Sequence, residues 1–290
     1  MDSDLAARLL DQPVREVRAV GGGCIGNGAR VTLDDGRVVF TKTMPDPPAG
    51  IFHAEAAGLR WLAEAHAIPV PEVLTVRDDA IALEWVEPGR PTRDTAVELG
   101  RALAALHASG AETFGADHPG YIGSLPMDNT PANDWPTFYT ERRITPFLRL
   151  AVDRGSVAAG DRQAIERAAE RCADLAGPNE PPARIHGDLW SGNLHWSAEG
   201  PCWLIDPAAH GGHRETDLAM LALFGAPHLD VVADAYTDAA SDLGRPLADG
   251  WRERVPLHQL FPLLVHAVLF GSGYGRQAGD AARRALRTAP

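Results

Sequence analysis

Over residues 14–86, hydrophobic and polar positions alternate in short runs, with one helical stretch among them. Alternation predicts strands, whereas apolar residues that recur every three or four positions predict a helix. The predicted strands cover residues 14–20, 29–33, 37–43, 72–76 and 80–86, and the predicted helix covers residues 51–66. The sequence therefore predicts an N-terminal, five-stranded antiparallel sheet with one helix.

The run Pro88-Gly89-Arg90-Pro91 breaks this pattern, and helical periodicity dominates the rest of the chain. The predicted helices cover residues 95–109, 135–152, 161–176, 215–224, 230–241 and a long tract from residue 249. With 290 residues and 45% hydrophobic content, the chain is long enough for two lobes. We expect a bilobal α+β fold, with an N-terminal lobe of residues 1–87 and a larger, mainly helical lobe of residues 88–290.

The stretch IHGDLWSGNL at residues 185–194, followed by an apolar run that ends in LID, carries the clearest chemical signal. It places His186, Asp188, Asn193 and Asp206 in the order and near spacing of a phosphoryl-transfer centre. In such a centre one Asp meets the acceptor hydroxyl, while an Asn and a second Asp hold Mg²⁺ through oxygen atoms. We therefore expect an ATP-dependent kinase with Asp188 as the base, for which a carboxylate of ordinary acidity suffices. Asn193 and Asp206 are the expected metal ligands.

Two neighbouring residues indicate which class of kinase the motif belongs to. Gly187 stands where a protein kinase carries arginine, and Pro207 follows the second Asp, so the match is to the small-molecule branch of the fold. The alternative is a turn rich in Asp, Gly and Asn whose side chains bond only their own backbone. Four matching polar positions between two apolar segments disfavour that alternative. We expect His186 to brace the loop by hydrogen bonds rather than to transfer protons.

Lysine is almost absent from this chain. Among 27 Lys and Arg residues, Lys42 is the only lysine. Its compact charge on a flexible stem can enter a narrow phosphate site that the planar fork of arginine does not fit. It lies on the third predicted strand, where a kinase-like fold carries the lysine that binds the α- and β-phosphates. Glu55 on the predicted helix is the expected counter-charge. The alternative for Lys42 is a lysine that remains by chance on an exposed strand. The alternative for Glu55 is a solvated charge on the helix surface.

The glycine-rich turn at residues 21–28 lies between the first two predicted strands. It lacks the G-x-G-x-x-G and G-K-[ST] patterns of dinucleotide-binding and P-loop proteins. Backbone N–H groups of Gly22 and Gly23 are nevertheless expected to close over the phosphates, a flexible hairpin being the alternative. Cys24 in the same turn is either a passive thiol or a redox switch.

Further contacts are expected with adenine and with the sugar substrate. The strand before the lobe junction is expected to offer the Glu84 carbonyl and the Val86 N–H to adenine. Trp190 lies two positions after Asp188, and an indole can pack on the apolar C–H face of a sugar. Packing of Trp190 in the core is the alternative.

Composition excludes several classes of partner. The net charge of −12 and pI near 5.3 offer no basic surface for nucleic acid or anionic membranes. Three cysteines form no even disulfide framework, and the acidic N-terminus has no apolar signal segment. The late apolar stretch at residues 255–270 is interrupted by polar residues and proline, and is too short to span a membrane. We expect a cytoplasmic protein, whose oligomeric state the sequence leaves open.

Several segments together resemble the fructosamine (ketosamine) kinase family, a branch of the aminoglycoside-phosphotransferase-like kinases with a protein-kinase-like fold. Besides the catalytic run, they are GGGCI at 21–25, AEAAGL at 54–59, LGRALAALH at 99–107, YIGSL at 121–125, DW at 134–135, ERR at 141–143 and DLAM at 217–220. Residues 121–143 discriminate best, because many small-molecule kinases share the catalytic run. In this family many members carry aromatic residues where this chain has HGGH at 210–213, which leaves the sugar specificity open.

The resemblance implies that the chain phosphorylates a ketosamine, small or protein-bound, on a sugar hydroxyl, usually the third. The phosphorylated adduct then decomposes and frees the amine, so the activity is a deglycation repair. Asp217 is expected to bond the backbone of the catalytic loop. The alternatives are a kinase for an aminoglycoside, choline or a thio-sugar, and a nucleotide-binding module without turnover. Such a module would be free to lose Lys42, Asp188, Asn193 or Asp206, and this chain keeps them all.

Overall fold

The computed structural model describes residues 3–21 and 26–287. Its N-terminal strands are β1 (Val14–Val20), β2 (Asn27–Leu33), β3 (Val38–Thr43), β4 (Val73–Val76) and β5 (Ala80–Glu84), with helices α1 (Ser3–Leu10) and α2 (Ile51–Ala63). The strands form one sheet in the order β1-β2-β3-β5-β4, and every neighbouring pair is antiparallel. The predicted sheet and helix are therefore confirmed, whereas α1 was not predicted.

Helix α2 buries one face against this sheet. Ile51, Phe52 and Leu59 are buried in one cluster with residues of β5, and Glu55 is buried on the same face of the helix. The helix ends at Ala63 rather than at residue 66, since His66 has the left-handed conformation (φ 49°) that typically terminates a helix.

Strand β5 ends at Glu84, short of the predicted residue 86. The carbonyl of Val86 accepts a hydrogen bond from His195 Nε2 of the other lobe (3.0 Å). The following backbone also pairs with the larger lobe, because Gly89 N donates to the Trp196 carbonyl (2.7 Å). The connection between the lobes is thus held by hydrogen bonds to the larger, C-terminal lobe.

The larger lobe is mainly helical, so the fold is the bilobal α+β, protein-kinase-like one that the sequence predicts. Its helices are α3 (Arg93–Ala108), α4 (Trp135–Tyr139), α5 (Thr145–Asp153), α6 (Ala159–Glu170), α7 (Cys172–Leu175), α8 (Glu215–Phe224), α9 (Leu229–Asp242), α10 (Trp251–His258), α11 (Leu260–Phe270) and α12 (Ser272–Arg287). Among the described residues, no helix is both long and apolar enough to cross a membrane.

Three two-stranded ribbons in this lobe were not predicted. They pair β6 (Gly120–Ile122) with β7 (Leu125–Met127), β8 (Ala183–Ile185) with β11 (His210–Gly212), and β9 (Leu194–Trp196) with β10 (Cys202–Leu204). Strands this short show no readable alternation, and their partners can be distant in sequence.

The predicted helix at residues 135–152 is interrupted by the π-helical segment Thr140–Ile144. Within it the fully buried Arg143 donates to Asn129 Oδ1 (2.6 Å), and its guanidinium lies 4.5 Å from the Phe138 ring centroid. A π-turn admits one extra residue into the helix. Part of the segment that discriminated the family is therefore structural, since Arg143 holds a neighbouring loop rather than a ligand.

Candidate active site

A cavity of about 760 Å³ lies between the two lobes. The sheet contributes Lys42, and the connection between the lobes contributes Glu84 and Val86. The larger lobe contributes Asp188, Trp190, Asn193 and Asp206. The fold thus brings the described site residues predicted from sequence to one cleft, with Glu55 also at its wall.

Lys42 lies between two carboxylates. Its Nζ is 2.9 Å from Glu55 Oε2 and 3.0 Å from Asp206 Oδ1, and only 15% of its side chain is exposed. Burial disfavours the ammonium, but the charges of Asp206 and Glu55 outweigh burial and raise the pKa of Lys42. Burial also raises the pKa of Glu55, against the lowering effect of Lys42. Lys42 is therefore a fixed positive charge that links the sheet, α2 and the larger lobe.

The loop that carries Asp188 turns at a position that only glycine can occupy. Gly187 has a φ of 80°, and a Cβ atom there would lie 2.3 Å from the Ala208 carbonyl oxygen. Both the left-handed backbone and the close approach exclude other side chains. The absence of arginine next to Asp188 is thus a requirement of the turn.

Asp217 on α8 binds the backbone of this loop, as the sequence predicted. Its carboxylate accepts hydrogen bonds from His186 N (2.8 Å) and Gly187 N (3.0 Å), and lies 3.2 Å from His107 Nε2. These bonds help hold the pKa of Asp217 below its ordinary value despite complete burial. A buried anion therefore anchors the loop through its N–H groups.

His186 braces the same loop. Its Nε2 lies 2.9 Å from the Ile205 carbonyl, which can only accept, so Nε2 carries the proton. Nδ1 is then the acceptor for the N–H of Asp188 (3.2 Å). Burial lowers the pKa of His186, which keeps the ring neutral. The expected bracing contacts are confirmed.

Asp188 faces the cavity beside Asn193. Asn193 Nδ2 donates to Asp188 Oδ2 (3.1 Å) and to the Asp188 carbonyl (2.8 Å). Burial raises the pKa of Asp188 to about 7, although the bond from Asn193 lowers it. This differs from the ordinary acidity expected from sequence, because the sequence did not show how enclosed the carboxylate is. A cation bound nearby would lower this pKa again.

The donor atoms near Asp188 suit a hard divalent cation. Because Asn193 directs Nδ2 to Asp188, its Oδ1 remains available, and no described residue donates to that atom. The Asp206 side chain is 34% exposed toward the cleft, and its backbone is left-handed (φ 53°). A carboxylate and an amide oxygen are the ligand types that Mg²⁺ accepts, together with water and phosphate.

The side of the cleft next to the sheet is lined by backbone and apolar side chains. Gly21 and Gly26 border it on the sheet side, and Leu83 and Ile205 lie deeper. The Val86 N–H has no hydrogen-bond partner among the described residues. Of the expected glycine-turn residues, Gly22, Gly23 and Cys24 lie outside the part of the chain that the structure describes.

Trp190 lies at the opposite side of the cleft. Its half-buried indole packs over Gly192, where a Cβ atom would come within 2.3 Å of the ring carbon Cη2. The ring centroid is 6.3 Å from that of Phe224 in an edge-on arrangement. The indole is therefore part of the cavity wall rather than of a closed core.

The HGGH segment at residues 210–213, which departs from the family pattern described above, lies in the core. His210 and His213 are buried, and neither borders the cavity. Burial lowers the pKa of each to about 3, so both rings are neutral. His213 packs on Trp135 and His258, at centroid distances of 5.0 and 4.9 Å. His210 and His213 therefore do not contribute to the lining of the cleft.

Sequence reasoning missed two groups of residues at the site. Tyr121 on β6 lines the cleft, and its hydroxyl donates to the Ala49 carbonyl at the start of α2 (2.8 Å). The second group consists of Phe224, His266, Phe270 and Tyr274, from three separate helices. The motif YIGSL pointed to the first, but only the tertiary fold assembles the second.

A cleft between a sheet that carries the lysine and a helical lobe that carries the aspartate is characteristic of ATP-dependent phosphotransferases with the protein-kinase-like fold. The chain belongs to the fructosamine kinase family, whose family model matches residues 3–288. Enzymes of this family use ATP and, as kinases, usually a divalent metal.

Individual relatives cover nearly the whole chain. A crystal structure of a "putative fructosamine-3-kinase" from Thermobifida fusca has 51% identity and a TM-score of 0.91, covering 99% of this chain and 98% of the other. A "probable ketoamine kinase" of Enterococcus faecium is 34% identical over 90% of this chain and 92% of its own length. The chloroplastic protein-ribulosamine 3-kinase of Arabidopsis thaliana is 33% identical over 94% of this chain and 87% of its own length.

Proposed function

We propose that the protein transfers the γ-phosphoryl group of ATP to a sugar hydroxyl of a ketosamine, and that the third hydroxyl is the acceptor. The observation that carries the proposal is the convergence of Lys42, Asp188, Asn193 and Asp206 on one cleft, in a chain that belongs to the fructosamine kinase family. The named relatives from E. faecium and A. thaliana support the choice of a ketosamine or ribulosamine.

Asp188 is the catalytic base in this proposal. Its carboxylate faces the cleft and is fixed by Asn193 Nδ2 at 3.1 Å. It orients the acceptor hydroxyl and accepts its proton as the oxygen attacks phosphorus. Because the transition state is loose, orientation supplies much of the rate enhancement.

Two sets of groups neutralise the negative charge of the phosphates in this proposal. Lys42 binds the α- and β-phosphates, held in place by Glu55. Asn193 and Asp206 would hold Mg²⁺, which supplies charge neutralisation to the phosphates when bound. From the sequence alone, we also assign the N–H groups of Gly22 and Gly23 to the phosphates.

The remaining contacts position the two substrates. The Glu84 carbonyl and the Val86 N–H bind adenine, supported by the free Val86 N–H in the described chain. Trp190 provides an apolar platform for the sugar ring, supported by its place in the cavity wall. Residues 1–87 thus serve as the nucleotide lobe and residues 88–290 as the catalytic and substrate lobe.

The product is a ketosamine phosphate that decomposes and releases the amine, so the reaction reverses glycation of small amines or proteins. Since ATP is the donor, we place the reaction in the cytoplasm. The acidic chain, with a net charge of −12, has no role for nucleic acid or membrane in this scheme.

A coupled ATPase assay tests the proposal with fructosamines, ribulosamines, aminoglycosides and choline as acceptors. We expect the highest kcat/KM for a ketosamine, and NMR of the product should place the phosphate on the third hydroxyl. A higher kcat/KM for an aminoglycoside or choline would overturn the substrate class. Nucleotide binding without turnover on any acceptor would favour a non-catalytic module.

A further inference from the structure

Four aromatic side chains form a wall of the cleft that the proposed phosphoryl transfer leaves unused. This aromatic wall consists of Phe224, His266, Phe270 and Tyr274, all of which line the cavity. Phe224 ends α8, His266 and Phe270 lie on successive turns of α11, and Tyr274 follows on α12. Helix α8 and the consecutive helices α11 and α12 therefore contribute to one surface.

The rings are in contact with one another. The His266 centroid is 4.6 Å from that of Phe224, 5.4 Å from that of Phe270 and 5.0 Å from that of Tyr274. Tilted rings at such separations attract one another. His266 is thus the centre of the aromatic wall.

The wall continues from the sugar platform. Phe224 lies 6.3 Å from Trp190, measured between centroids, and Trp190 follows Asp188 in the catalytic loop. For a substrate whose sugar hydroxyl faces Asp188 and whose ring packs on Trp190, the aromatic wall is therefore an adjacent part of the cavity lining. In a ketosamine, the remaining end of such a substrate is the amine and its substituent.

His266 lines the cleft and carries one hydrogen-bond acceptor. Its Nδ1 lies 2.8 Å from the Pro262 carbonyl, which can only accept, so Nδ1 carries the proton. Burial lowers the pKa of His266, which keeps the ring neutral. Nε2 is therefore an unprotonated acceptor, and within residues 3–21 and 26–287 nothing donates to it.

Phe270 exposes 57% of its surface, the largest value among the exposed large hydrophobic side chains of the described chain. It lies at the edge of the cavity, next to His266. The wall itself contains no Asp, Glu, Lys or Arg side chain. Its chemistry is that of aromatic faces with two neutral polar groups, the His266 imidazole and the Tyr274 hydroxyl, which suits an apolar group attached to an N–H donor.

We infer that the aromatic wall is the binding site for the amine substituent of the ketosamine, with His266 Nε2 accepting a hydrogen bond from the N–H of the substrate amine. The inference rests on the proposed function and extends it to substrate choice. Ketosamines with an aromatic or long aliphatic amine substituent are preferred over those with a minimal one. A protonated amine also gains from the surrounding ring faces.

Two synthetic ketosamines test this inference, namely 1-deoxy-1-(benzylamino)fructose and 1-deoxy-1-(methylamino)fructose. Dissociation constants are measured by calorimetry on the full chain, and KM values by the coupled assay. We expect the wild type to bind the benzyl compound about tenfold more tightly, the scale of one aromatic contact. Phe270→Ala should abolish most of this preference while leaving KM for ATP unchanged.

Leu243→Ala is the matched control, because Leu243 is also an exposed large hydrophobic residue (50%) and does not line the cavity. It should retain the preference. His266→Phe keeps an aromatic ring but removes the acceptor, so it should weaken both ketosamines about tenfold, the scale of one hydrogen bond to a charged donor. His266→Gln restores an acceptor and should recover part of that loss. Urea unfolding verifies that each variant folds.

The outcomes separate the two proposals. Binding of both ketosamines by the wild type, with an unchanged benzyl preference in Phe270→Ala and unchanged affinity in His266→Phe, would overturn the aromatic wall alone. No binding of either compound by the wild type would overturn the aromatic wall and the proposed function together. Loss of the benzyl preference only in Phe270→Ala, and not in Leu243→Ala, supports the inference.

Discussion

Replacing Asp217 by asparagine tests how the fold holds the catalytic loop. The fully buried carboxylate accepts bonds from His186 N and Gly187 N at 2.8 and 3.0 Å, with His107 Nε2 at 3.2 Å. Asparagine has one oxygen in place of two, so its amide group must face at least one of these donors. The change keeps the shape of the side chain and removes its charge.

The magnitude follows from the bonds that are lost. A hydrogen bond to a charged group contributes about 1.5–3 kcal/mol, and a buried donor left unpaired costs about 1–3 kcal/mol. We expect Asp217→Asn to lower the free energy of unfolding by about 3 kcal/mol. Because the loop carries Asp188, we also expect kcat to fall by about ten- to a hundredfold, the scale of a misplaced catalytic group.

Urea unfolding followed by circular dichroism measures the first effect, and the coupled assay measures the second. Asp238→Asn is the control, since it makes the same chemical change at an exposed position of α9. It should alter the free energy of unfolding by less than about 0.5 kcal/mol. An Asp217→Asn protein with wild-type stability and wild-type kcat would refute the anchoring role of this carboxylate.

Four further predictions concern the site and its surroundings. Asp188→Asn should lower kcat about a hundredfold, the usual scale for a positioned base, while ATP binding measured by calorimetry persists. Lys42→Arg should fail to restore activity, because the ammonium fits between two carboxylates at 2.9 and 3.0 Å and a planar fork does not. Gly192→Ala should displace the Trp190 indole and raise KM for the ketosamine but not for ATP. His213 has a folded pKa of about 3 against an ordinary value of about 6.5, so its stabilising contribution is lost as the pH falls below 6.5. His213→Asn should therefore reduce the loss of unfolding free energy between pH 6 and pH 5 by about 1 kcal/mol, measured by urea unfolding at both values.

The sheet and the first helix could be predicted because their patterns are local. Strands β1 to β5 are long enough to show alternation, and α2 places Ile51, Phe52 and Leu59 on one face. The long tract from residue 249 was harder to divide, since α10, α11 and α12 follow one another almost without interruption. Periodicity indicates that such a tract is helical but does not show where each helix turns away.

The residues of the site likewise fall into those that could be predicted from the sequence and those that could not. Asp188, Asn193 and Asp206 could be found because their types and spacing match the pattern of a phosphoryl-transfer centre. Phe224 and His266 could not, because their neighbourhood arises only when α8 and α11 pack together. The raised pKa of Asp188 could not be predicted from the sequence either, since it depends on how far the folded chain buries the carboxylate.

The glycine in HGD illustrates how a motif can encode backbone geometry as well as chemistry. From the sequence, Gly187 looked like the loss of an arginine. In the fold, its left-handed backbone brings the chain within a short distance of the Ala208 carbonyl, where no side chain fits. The same turn directs two successive N–H groups at the buried Asp217 carboxylate. The loop that presents Asp188 is therefore fixed through main-chain bonds, which is why HGD and the distant Asp217 must be interpreted as one structural unit.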